Sequence, residues 1–103
     1  MWCTIRFLPV LLALLLTACA AIPAQEMSDA RQAIQSAEQA GAGAHAPRAL
    51  NLARTLLERA ESELAVKDYA AARRTAHEAK TAAIQAREAA DDAARMGGSS
   101  AAP

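Results

Sequence analysis

Residues 47–93 read PRALNLARTLLERAESELAVKDYAAARRTAHEAKTAAIQAREAADDA. Apolar residues recur here at alternating steps of three and four: Leu50, Ala53, Leu57, Ala60, Leu64, and then Tyr69, Ala72, Ala76, Ala79, Ala83, Ala86, Ala90, Ala93. That spacing winds one stripe along a helix and is the seam of left-handed helix packing. No strand-like alternation competes with it. Lys67-Asp68 interrupts the pattern, and Asp68 suits an N-cap because its carboxylate accepts from unpaired backbone amides. The stretch therefore predicts two helices, at residues 47–66 and 68–96, folded back on one another.

Upstream, Met27, Ala30, Ile34 and Ala37 continue the same period and predict a helix over residues 27–40. Ser28 is its candidate N-cap, with Asp29 in the first turn. Gly41-Ala42-Gly43 ends it, since glycine accepts the left-handed C-cap. Pro47 suits the first position of the next helix, where its missing N–H costs nothing. Leu52, Leu56 and Ile84 sit beside the seams and widen them. Glu63–Lys67 and Asp91–Arg95 have the favoured i,i+4 order for surface ion pairs. Residues 97–103, Gly-Gly-Ser-Ser-Ala-Ala-Pro, read as a frayed, flexible tail. The expected fold is all-α: an antiparallel helical hairpin or three-helix arrangement with alanine-rich heptad seams, over residues 27–96. Alanine seams favour close helix approach and high helix propensity, with modest tertiary stability.

The N-terminus reads differently. Arg6 precedes an apolar run, interrupted by Pro9, that ends in Leu16-Thr17-Ala18-Cys19. Positive n-region, apolar h-region and small residues before a cleavage point make a secretory signal. The run falls short of the ~20 residues needed to span hydrocarbon. Ala18-Cys19-Ala20 also fits ordinary cleavage after Ala20. The cysteine directly behind Leu-Thr-Ala favours a lipobox instead, with a signal peptide at residues 1–18, lipid on Cys19, and a tether at residues 19–26. Several acyl chains anchor stably where one does not. By resemblance to enterobacterial lipoproteins, in which Asp after the cysteine retains the protein in the inner membrane, Ala20 directs it to the outer membrane, facing the periplasm. Cys3 would leave with the signal, so lipidated Cys19 has no disulfide partner.

The rest of the inventory points away from catalysis. Eleven basic and eleven acidic residues balance, with no charged block to imply nucleic acid. His45 and His77 are the only histidines, without metal-ligand spacing. His77 beside Glu78 and the Asp91-Asp92 pair read as solvated helix positions. Glu58, Glu61 and Glu63 fall on polar positions with no facing partner for acid–base work. No serine lies in a nucleophile-elbow context, and the Gly97-Gly98 pair opens no phosphate-binding helix. No catalytic residue, metal, cofactor or small-molecule substrate is expected. Tyr69 at the turn and His45 in the loop are packing residues first and candidate partner contacts second.

From about Asp29 to Ala93 the chain resembles the bacterial lipoprotein domain catalogued as domain-of-unknown-function family 4398. The residues that carry the resemblance are Ala46-Pro47-x-x-Leu50, Ala53, Leu57, Ala60 and Lys67-Asp68-Tyr69-x-x-Ala72, then the alanines behind them. Many members show an aromatic where this chain has His45. Members are exported, often lipidated, and some carry an OmpA-like peptidoglycan-binding domain that is absent here. The resemblance implies location and fold, with no established activity. The expected role is a non-enzymatic helical interaction or spacer module, its partners the membrane through Cys19, a second copy, or other envelope proteins. Asp68-Tyr69-x-x-Ala72 also resembles half of a tetratricopeptide pair, which would make a small peptide- or peptidoglycan-binding module instead.

Overall fold

The computed structural model describes residues 22–101, all-α throughout, with side chains described through residue 97. Four helices follow in order: α1, Ala24–Gln39; α2, Ala42–His45; α3, Pro47–Ala65; and α4, Tyr69–Ala101. Met27 of α1, Ala60 of α3 and Ala76 of α4 meet in one core cluster. Ile34 and Ala37 meet Leu50, Ala53 and the Ala82–Ala90 stretch in the other. Sequence number thus rises together along α1 and α4 and falls along α3. The result is a three-helix up-down-up bundle, with α2 as one helical turn at the α1–α3 junction.

The seams lie where the periodicity puts them. Met27, Ala30, Ile34 and Ala37 of α1 are buried, as are Leu50, Ala53 and Ala60 of α3 and the six alanines from Ala72 to Ala90 of α4. Thr75 and Ala82 join them. Every buried residue of α4 among those whose side chains are described is therefore alanine or threonine, and the large side chains come from its partners: Met27, Ile34 and Leu50, helped by half-buried Leu56 and Leu57. Small residues on the shared helix let both neighbours approach it closely, toward the short end of the ~8–10 Å range. Leu52 and Ile84 do not widen the seams; they are 52% and 42% exposed. Two residues on from Leu50 is about 200° around a helix, which carries Leu52 to the far side of α3. Ile84 stands on the outer rim between α1 and α4, beside Lys80 and Arg87.

Helix limits differ from the sequence reading in three places. α1 starts at Ala24, three residues before Met27, so residues 24–26 belong to helix rather than tether, and Ser28 lies inside it. Pro23 takes the cap position, its carbonyl accepting from the Met27 amide at 3.0 Å. Pro23 is itself buried, so packing holds the extra turn that side-chain capping does not. Between Gly41 and Pro47 the chain makes the single turn of α2 rather than a loop. α4 continues through Gly97 to Ala101, beyond the limit expected at 96. Extending an existing helix needs no new nucleus, so even Gly-Gly is carried along.

Candidate functional site

Two turns fix the ends of the bundle. At the first, Gly41 adopts φ 87°, ψ 22°, and its amide donates to the Glu38 carbonyl at 3.0 Å. His45 folds back over it: a methyl group added to Gly41 would lie 3.3 Å from His45 Cδ2. At the other end, the Lys67 amide donates to Leu64 O (3.0 Å) and the Asp68 amide to Glu63 O (2.9 Å). These two bonds make a Schellman motif. Lysine rather than glycine takes its left-handed position, with φ 64°. Asp68 then caps α4, its Oδ1 accepting from the Ala71 amide at 3.3 Å.

The structure separates the two candidate contact residues. Tyr69 is the first residue of α4 and half-buried; His45 is exposed beside Gly41 at the opposite end. The helix between them covers some 20 residues of the bundle, about 30 Å. They form no common site. His77 is exposed and lines a shallow depression with Glu26, Arg73, Arg74 and Glu78. Leu16, Thr17, Ala18 and Cys19 lie outside the described residues.

Charged side chains bind α1 to both neighbours. On the α4 side, Glu26 pairs with Arg73 (3.4 Å) and Asp29 with Lys80 (3.9 Å), and Arg87 Nη1 donates to Ser36 Oγ (2.8 Å). On the α3 side, Arg31 pairs with Glu61 (3.3 Å) and Arg54 with Glu38 (2.9 Å). Arg73, Lys80 and Arg87 are seven apart, a heptad flank that the apolar reading alone passed over. Glu61 thus has a facing partner, and so does Glu63. Thr75 Oγ1 donates to Glu63 Oε1 at 2.8 Å across α3 and α4, while Arg59 approaches the same oxygen at 3.2 Å. The surface pairs regroup as well: Glu63 is engaged by Arg59 instead of Lys67, and Arg95 by Asp92 at 2.8 Å instead of Asp91. Lys67 has left the helix in its left-handed turn, and a residue three away can be as near as one four away.

Chemically these contacts are structural. No buried side-chain polar atom among the described residues lacks a partner, and none of their acidic, histidine or cysteine side chains groups in threes that could hold a metal ion. No described helix is long and apolar enough to cross a membrane.

The model of the family described as "Domain of unknown function (DUF4398)" matches residues 25–102. That span starts at the second residue of α1 and takes in α2, α3 and α4. The chain belongs to the DUF4398 family. Its Ala46-Pro47 helix start and Asp68-Tyr69 turn mark the two ends of α3, the places where the DUF4398 chain reverses direction. No curated protein and no solved structure matches the DUF4398 chain.

Proposed function

We propose that this DUF4398 chain is a non-enzymatic lipoprotein of the outer membrane, facing the periplasm, whose bundle serves as an interaction or spacer module. One observation carries the reading: Leu16-Thr17-Ala18-Cys19 closes an apolar N-terminal run behind Arg6, the order of a lipidated secretory signal. Two features of the bundle support it. Its seam residues are turned inward on one another, so the long sides of the bundle offer no apolar stripe to the bilayer and the anchor is the lipid on Cys19. Four ion pairs, Arg31–Glu61, Arg54–Glu38, Arg73–Glu26 and Lys80–Asp29, hold helices together, which suits a rigid module rather than a catalyst.

Radiolabelled palmitate should enter the wild type and not Cys19→Ala, and the labelled protein should fractionate with the outer membrane. Equal incorporation in the two would sink the anchor. Label confined to the inner membrane would remove the address and leave the lipid. The module role has its own check. A chain lacking Cys19 that stays monomeric in the ultracentrifuge and crosslinks to no envelope protein would refute an interaction function.

A further inference from the structure

Among the described residues five large hydrophobics are exposed, and three of them, Leu52, Ile84 and Met96, lie on helices. The other two, Ile22 and Val66, lie outside helices, 52% and 76% exposed. Single exposed aliphatics are ordinary on a protein surface. These two share a position. Ile22 lies two residues before the start of α1, next to its cap Pro23, and Val66 occupies the α3–α4 turn. The Glu26–Arg73 pair, the Arg31–Glu61 pair and the Met27–Ala60–Ala76 cluster put those two points at one end of the bundle.

Covalent geometry ties that end to Cys19. Ile22 is three positions after Cys19, and a chain reaches at most ~3.6 Å per residue. The Ile22 Cα therefore lies within about 11 Å of the Cys19 Cα whatever path the backbone takes. The Gly41 end is a further 16 helical residues away, about 24 Å. The long sides of the bundle carry the interhelix ion pairs, whose desolvation would be costly. The tip carries Val66 and the Lys67 side chain, both exposed.

On the basis of the lipid anchor proposed above, we infer that the α3–α4 turn is a second membrane contact. The turn seats Val66, with Ile22 beside the tether, against the phospholipid headgroups of the leaflet that holds Cys19. The bundle then stands with α2 and His45 facing away from that leaflet. The left-handed Lys67 sets the turn that presents Val66.

Tryptophan reports this directly, because the only tryptophan in the sequence, Trp2, leaves with the signal. Full-length Val66→Trp and Ala44→Trp would be expressed, extracted from membranes, weighed by mass spectrometry and reconstituted into phospholipid vesicles containing a headgroup spin label. Both positions are exposed, and circular dichroism checks that helicity is kept. The expected result is blue-shifted, quenched emission from position 66 and unshifted, unquenched emission from position 44. Lipidated protein with equal quenching at both positions, or none at either, would overturn the membrane contact and leave the anchor standing. A blue shift at 66 without quenching would assign the turn to a second copy of the chain and overturn it too. A mass without lipid on Cys19 would overturn both proposals.

Discussion

Gly41 and Lys67 perform the same backbone task with different side chains. Both sit in the left-handed region just past a helix, at φ 87° and 64°, where a Cβ crowds the following carbonyl at a cost of ~1–2 kcal/mol. Gly41→Ala adds that cost and also meets the His45 ring at 3.3 Å. It should lower unfolding free energy by about 1–2 kcal/mol in urea titration. Lys67→Gly should act in the opposite sense. Relief of the Cβ crowding outweighs the added freedom of the unfolded chain, for a gain of up to about 1 kcal/mol. If Lys67→Gly destabilised instead, the lysine side chain would be contributing more than its backbone costs. Glycine punctuation made the first turn legible in the sequence. The second was marked only by Asp68, because nothing in the residue type lysine announces a left-handed backbone.

Among the elements α4 is unlike the others. α1 and α3 each bring large side chains to the core, whereas the six seam alanines of α4 form the surface on which both helices lie. A larger residue in that stripe has nowhere to go. Ala83→Leu should cost about 1–3 kcal/mol by overpacking, with helicity by circular dichroism largely kept and thermal unfolding shifted down. A neutral or stabilising result would mean the interfaces of α4 are loose enough to admit three more carbons. The stripe itself was legible from spacing alone. Its flanks were not: Arg73, Lys80 and Arg87 recur every seven residues, but only the placement of α1 shows that they meet Glu26, Asp29 and Ser36. Leu52 was misplaced for the opposite reason. Hydrophobicity marks a residue as suited to the core, yet position around the helix decides whether it reaches it.

In the whole molecule, α1 is held by burial more than by charge. The ion pairs that join it to α3 have side chains about half exposed, and such pairs contribute ~0–1 kcal/mol each. Met27 is 2% exposed in the cluster with Ala60 and Ala76, where truncation typically costs ~2–5 kcal/mol. Thermal unfolding should therefore separate two variants. Arg54→Gln, which breaks the pair with Glu38, should move the midpoint little, whereas Met27→Ala should lower it sharply. The reverse order would make α1 an electrostatic clasp on a self-sufficient hairpin. The three amphipathic helices, their seams and the Pro47 start of α3 follow from residue order alone, because helical period and proline's fixed φ are local properties of the chain. So does the candidate anchor, since a lipobox is read as a linear string. Packing settled what local rules leave open: that α1 joins the hairpin instead of extending the tether, that Pro23 rather than Ser28 begins it, and that Tyr69 and His45 lie at opposite ends. Each of these depends on which faces meet across the bundle, and burial and ion pairing between residues distant in sequence are felt only once the helices are side by side.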